Sequence, residues 1–393
     1  MYHLIAYDSE QSFSSIEKNN KYVFSAVPGV SLCLEDNKSA YNRTKKKNLI
    51  VDYKVQAGDS QPVRLLNSSV QTLFNNIYEM TVDGVKLNNP VSSYTFNEVG
   101  IHTVTFDLYD EMTQIPSGLL KGVPATRVVV PNGIESIEWS AIAGCQFLTE
   151  IELPKTLKTL GPGAFSGNTA LENIVFPNSV TRAQHRGLYG CTSLTGVTLS
   201  KNMTLIDQAF FGGCSSLQDL TLHEGIVAFE GHGTFTGCTS LTGLTIPESV
   251  IYMGDDTLEG SAWFENGSCP IINNMYYPTS KIAYKCIAPT GTTTSWTFEE
   301  GTTSVSPRCF NVNHTRIRTL TFPSSTKNIG LDEWFGTGND GTVIQSTSMN
   351  TIYCYAQEPP VQKLGRIANT GTVYHPAGTD YSSWLPNWTK IEM

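Results

Sequence analysis

Charge is scarce in this chain. Only 16% of its 393 residues are charged, against 40% hydrophobic, so the chain folds around a core rather than staying disordered. The basic sign is the scarcer one: 26 Lys and Arg face 35 Asp and Glu, for a net charge of -9 and a pI near 5.3. A nucleic-acid partner needs a basic face, and that class is excluded. Long apolar runs are also missing, and no stretch approaches the roughly 18 residues of a membrane span. The opening MYHLIAYDSEQSFSSIEKNN has neither a basic start nor an apolar run, so it does not read as a secretory signal, and export by the usual route is not expected. No coiled-coil heptad specifies an oligomeric state.

Catalytic and metal signatures are missing as well. The seven histidines stand at His3, His102, His185, His223, His232, His314 and His375. They form no HExxH or HxxxH, and no G-x-S-x-G elbow or phosphate loop occurs. His185 and His232 fall in loops two repeats apart and read as exposed loop residues. Five of the nine cysteines (Cys33, Cys269, Cys286, Cys309, Cys354) have no CxxC spacing and make no zinc signature. Glu150 with Glu152, and Asp255 with Asp256 and Glu259, are the carboxylate groupings a glycoside hydrolase would need, but the repeat implies no deep pocket beside them. The expectation is a chain with no catalytic residues, no metal and no cofactor.

What is present is a repeat. GCTSLTGVTLS from Gly190, GCSSLQDLTLH from Gly213 and GCTSLTGLTIP from Gly237 are three copies of one unit. Cys145, Asn168, Cys191, Cys214 and Cys238 share a slot, spaced 23, 23, 23 and 24 residues apart. A period near that length means one coil of a solenoid, whose apolar face is buried only by stacking on its neighbours. Leu148, Leu171, Leu194, Leu217 and Leu241 are expected to line up in one buried row. The following alternation, Ile151 and Leu153 around Glu152, reads as a short strand with one face inside. Phe165, Phe210, Phe211, Phe229 and Phe235 are expected to fill the space opposite the sheet. The four repeat cysteines read as small buried thiols packed as hydrophobes.

The expected layout is an N-terminal arm and linker over 1–46, ending in the basic NRTKKKN, then a small β domain over 47–106. Solenoid coils follow over 107–260, a strand-rich insertion over 261–302, further coils over 303–348 with Trp334 and Phe335 in the later slots, and a C-terminal cap with a last strand over 349–393. One period back from Val128 and Val130 lies the pair Val104 and Phe106, so the first solenoid strand is expected to be shared with the N-terminal domain as a cap.

TLKTLGPGAFSGNTAL (Thr156 to Leu171) and the ending TIYCYAQEPP with VYHPAGTDYSSWLPNW resemble the BspA-type leucine-rich repeat family of gut Bacteroidetes and their phages. The resemblance implies a mostly β, right-handed leucine-rich-repeat solenoid, and a non-catalytic binding or adhesion protein. Secreted members carry an export signal, which this N-terminus does not show. The expectation is therefore a phage virion part, a tail or host-recognition appendage assembled in the host cytoplasm. Its arm would attach to other virion proteins, and it would bind a bacterial surface protein or glycan. A bacterial cell-surface adhesin is the alternative.

The strand face, read as Glu152, Val175, Thr198, Thr221, Thr245 and Thr321, lacks Trp, Tyr and Arg anchors. The aromatic insertion is the better candidate binding surface: Trp263, Phe264, Tyr276, Tyr277, Tyr284 and Trp296. These rings either bind a partner or fill the insertion's own core.

Overall fold

The computed structural model describes residues 17–18, 21–22, 47–59, 62–67, 77–254, 256–287, 294–307, 309–310, 317–330, 344–345, 348–362 and 364–393. The arm over 1–46, apart from the strand pair Glu17–Lys18 and Lys21–Tyr22, lies outside the described residues, as do Cys33, Asp255, Trp334 and Phe335. Among the described residues the chain is mostly strand, and its α-helix is the single turn Ala262–Glu265. It is a leucine-rich-repeat solenoid of about ten turns.

Each coil carries two short parallel strands. The first column holds Glu150–Glu152, Asn173–Val175, Gly196–Thr198, Asp219–Thr221 and Gly243–Thr245. Period-two alternation points the middle residue inward: Ile174, Leu220 and Leu244 are buried, and Val175, Thr221 and Thr245 are exposed. The second column stacks Ser136–Ile137, Thr159–Leu160 and Arg182–Ala183 in register, then Leu205–Ile206, Ala228–Phe229 and Tyr252–Met253. Leu148, Leu171, Leu194, Leu217 and Leu241 are all fully buried in one core. Opposite the first column the phenylalanines pack on one another, with Phe211 and Phe235 stacked at 5.6 Å.

The GC pair has a physical reason in each coil. Gly144, Gly167, Gly190, Gly213 and Gly237 all adopt φ between +68° and +80°, which an L side chain resists. They also stack closely, and a Cβ on Gly237 would lie 3.3 Å from the Gly213 backbone. The next residue donates its thiol to a carbonyl of the preceding coil: Cys191 to Phe165 at 3.3 Å, Cys214 to Leu188 at 3.3 Å and Cys238 to Phe211 at 3.1 Å. Asn168 makes the same bond with its amide, from Nδ2 to the Ile142 carbonyl at 2.8 Å, and its Oδ1 accepts from the Cys145 amide at 2.9 Å. Burial pushes the Cys145, Cys191 and Cys238 thiols up to about 12, so they remain protonated donors. All eight described cysteines are free and buried.

The N-terminal sheet corrects one expectation. Val104 and Phe106 do not neighbour Val128. The strand Lys47–Val55 lies between, pairing antiparallel with Gly100–Leu108 along its whole length and with Ala125–Val129 on its other edge. A one-period step along the sequence therefore overlooks a strand supplied from far upstream. Ala125–Val129 then pairs parallel with Glu150–Glu152, and the sheet runs unbroken into the solenoid.

A second core cluster fills the C-terminal half. Ser295–Thr297, Thr319–Phe322, Thr351–Cys354, Thr372–His375 and Thr389–Glu392 form a five-stranded parallel sheet. Ile282–Ala283, Ser304–Val305, Asn328–Ile329 and Val361–Gln362 form its companion column. The segment 261–302 thus starts both columns, besides holding an antiparallel sheet of Ile271–Ile272, Met275–Tyr276 and Lys285–Cys286. The tail holds three strands of the large sheet, not one. Their register partners Tyr353, Tyr374 and Ile391 are 21 and 17 residues apart, so the shortened loops hide the period. Tyr381, Trp384 and Trp388 close this end. Tyr381 donates to the Ala356 carbonyl at 2.9 Å, and Trp384 to the Pro360 carbonyl at 2.8 Å.

Candidate functional site

The six rings expected to form a binding surface are mostly interior. Trp263, Phe264, Tyr277, Tyr284 and Trp296 are buried, and Tyr276 is half-buried. The structure brings three of them together, with Phe264 at 4.6 Å from Tyr276 and 5.9 Å from Tyr284. Trp296 stands apart, edge-on to Phe310 at 5.5 Å. Their polar groups are turned to structural use. Tyr284 donates its hydroxyl to Glu259 and accepts from the Leu258 amide at 3.0 Å. Tyr277 accepts from the Glu299 amide at 3.2 Å. Buried rings of this kind present little face to a ligand.

The carboxylates considered for catalysis are held in ion pairs. Arg127 reaches Glu152, Glu150 at 3.4 Å and Asp52 at 3.7 Å across three adjacent strands. Glu259 pairs with Lys285, which also lies 3.7 Å from Asp256. His232 meets the Gln208 amide at 2.8 Å. Beside His185, burial pushes the Asp207 carboxyl above its usual range. Among the described residues, no group of three or more His, Cys, Asp or Glu side chains could hold a metal ion, and no helix is long and apolar enough to cross a membrane.

The outward face of the C-terminal sheet is a different kind of surface. Its two outward columns read Ser295, Thr319, Thr351, Thr372 and Thr389, and Thr297, Thr321, Tyr353, Tyr374 and Ile391. All ten residues are exposed or half-exposed. Tyr353 and Tyr374 stack nearly parallel, 4.6 Å between ring centres and 11° between planes. Tyr355 continues the same strand, its amide donating to the Phe322 carbonyl at 3.1 Å, and its ring is 45% exposed. Rings stacked along a ladder hide their faces in one another and present hydroxyls and edges outward. The result is a flat hydroxyl-rich strip with three tyrosines at one end and no formal charge on either outward column. The signal for it was the recurring triplet, SWT, TLT, TIY, TVY, which shares one in-and-out pattern.

A solenoid of stacked parallel strands with such a face, and with its acidic side chains in ion pairs, is a repeat-scaffold architecture. The chain belongs to the BspA-type leucine-rich repeat family, whose model matches in six copies over residues 71–186, 113–232, 168–277, 231–339 and 280–357. No curated protein matches. Solved structures of similar fold include a leucine-rich repeat protein from Bacteroides ovatus, 15% identical over 76% of this chain and 90% of that one, with a TM-score of 0.37. A leucine-rich cell surface protein from Faecalibacterium prausnitzii is 18% identical over 73% and 83%, with a TM-score of 0.36. The pneumococcal vaccine antigen PcpA is 14% identical over 74% and 85%, with a TM-score of 0.32.

Proposed function

We propose that this chain is a non-enzymatic recognition protein that presents the tyrosine-bearing strand face of its C-terminal half to a bacterial surface. The observation that carries the reading is the Tyr353, Tyr355 and Tyr374 cluster on an open, uncharged sheet face. Tyrosine is the ring best suited to a wet interface, having an apolar body and a polar tip. Cell binding by the purified protein tests this: Tyr353→Ala with Tyr374→Ala is expected to lower it at least tenfold. Undiminished binding by that double variant sinks the proposal.

The setting we favour is a phage virion, in a tail or host-binding appendage, with residues 1–46 attaching the chain to its neighbours. Support comes from the thiol ladder. Its cysteines work as reduced hydrogen-bond donors, a state kept by the reducing cytoplasm in which virions assemble. A bacterial cell-surface adhesin is the second reading, and membership of the BspA-type family favours it. Mass spectrometry of purified phage particles, beside protease shaving of intact cells, separates the two. Peptides of this chain in particles alone support the first reading, and peptides released from cells alone support the second. A chain lacking residues 1–46 is expected to fold yet drop out of particles; its retention would remove the arm from the proposal.

A further inference from the structure

We infer that the start of the solenoid carries a second binding site, for an acidic saccharide, that shares no residue with the tyrosine face. A cavity of about 280 Å³ is lined by Gly122, Val123, Pro124, Gly144, Gln146 and Phe147. That is near the lower end of small-ligand pockets and suits one sugar residue rather than an extended ligand. Two cations converge on it from the N-terminal sheet. The Lys54 ammonium lies 4.7 Å from the centre of the Phe147 ring. The Arg64 guanidinium is docked on the cavity wall, its Nη2 donating to the carbonyls of Lys121 at 3.0 Å and Gly122 at 2.9 Å. A guanidinium has five N–H donors, so those on Nε and Nη1 are left for a ligand. Next to Gly122, Lys121 places its ammonium 5.8 Å from the ring of Trp139.

None of these three cations has a carboxylate partner within ion-pair distance among the described residues. In a chain of net charge -9, three such cations beside one cavity are a local reversal of sign. The backbone N–H groups of the glycines are already used, Gly122 on the Ala143 carbonyl and Gly144 on the Ser166 carbonyl, both at 2.8 Å. An anion is therefore held by side chains. The rings decide between a sugar and a bare anion. Phe147 is half-buried on the wall and Trp139 is 60% exposed beside Lys121. Each offers a flat apolar surface for the C–H face of a pyranose, and the Gln146 amide can both donate to and accept from a hydroxyl. Carboxylate to Lys54 and Arg64, ring face to Phe147 and hydroxyl to Gln146 is one consistent pose.

Titration calorimetry on the full chain tests the site with sialyllactose and tri-galacturonate as carboxylated sugars, lactose as the neutral control and hexaglutamate as the acidic peptide control. Binding of at least one carboxylated sugar is expected, at least tenfold tighter than lactose or hexaglutamate. Lys54→Gln and Phe147→Leu, both far from the buried core rows, are each expected to weaken it at least tenfold. Tyr353→Ala is expected to leave it unchanged. The inference is overturned if neither acidic sugar binds, if lactose or hexaglutamate binds as tightly, or if Lys54→Gln has no effect.

Discussion

The two halves of the solenoid follow different rules. In the first, from Glu150 to Thr245, every coil repeats the same glycine, the same polar donor after it and the same leucine, at 23 or 24 residues. In the second, from Ser295 to Glu392, the strand columns continue in register while the glycine-cysteine turn disappears and the spacing shortens. Strand pairing alone is therefore enough to propagate the stack, and the turn chemistry is a local solution that can be dropped. Where it is kept, the outward face is threonine, valine and ion-paired acids. Where it is dropped, the outward face gains tyrosines. The regular half acts as scaffold and the irregular half carries the features of an interface.

The largest effect that would sharpen this contrast lies in the regular core. Phe235→Ala removes a ring stacked on Phe211 and is expected to cost about 3–5 kcal/mol, measured by chemical denaturation. A loss well below that would mean the phenylalanine row is loosely packed. Next is the polar slot. Asn168→Ala leaves the Cys145 amide and the Ile142 carbonyl without partners, for an expected loss of about 1–3 kcal/mol. Asn168→Cys, which restores a thiol donor, is expected to lose less, and the reverse order would refute the hydrogen-bond reading of the ladder.

A smaller effect comes from the second turn of each coil. Ala209 adopts φ +51° at the slot where Gly163 adopts +60° and Gly233 +69°. Ala209→Gly is expected to stabilise the chain by about 0.5–1 kcal/mol, since relief of the left-handed strain exceeds the entropy cost of glycine. Destabilisation would show that the methyl group packs usefully.

The smallest effect is in the N-terminal sheet, where His102 and Asp83 meet at 2.8 Å. Burial alone would lower the His102 pKa, but the bond to Asp83, helped by the Glu98 carbonyl, outweighs it and raises the value above 6.5. Asp83 is shifted the other way, below 3.8: burial raises it and the bonds from His102 and the Thr103 amide outweigh that. His102 therefore stabilises fully below pH 6.5, and the contribution is lost as pH rises through the raised value. Asp83 stabilises above 3.8 and loses its contribution as pH falls through the lowered value. The pair is strongest between those limits, and His102→Gln is expected to cost about 0.5 kcal/mol at pH 5 and less at pH 9. An equal cost at both would mean the ring acts by shape alone.

The scaffold was legible in the sequence because each of its features recurs. One leucine, one glycine and one donor per coil announce both the period and the buried side, and the leucine row lies where the period puts it. What the period could not reveal is what arrives from a distance. The strand Lys47–Val55 enters between Val104 and Val128 by antiparallel pairing, which leaves no repeat. The tyrosine face was hidden by shortened loops, although the TIY and TVY triplets preserve the alternation. Composition drew attention to the aromatic run from Trp263 to Trp296, where most rings are interior because the two core clusters meet there. The cavity beside Phe147 joins residues from the N-terminal sheet and the first coils, which no local pattern links.

The most direct test of the division between scaffold and interface is binding of the labelled protein to a panel of bacterial cells, with two outward-face variants side by side. Tyr353→Ala with Tyr374→Ala, in the irregular half, is expected to lose at least nine-tenths of the binding, while Thr198→Ala with Thr221→Ala, in the regular half, keeps it. Loss of binding by the threonine variant with retention by the tyrosine variant would contradict the account.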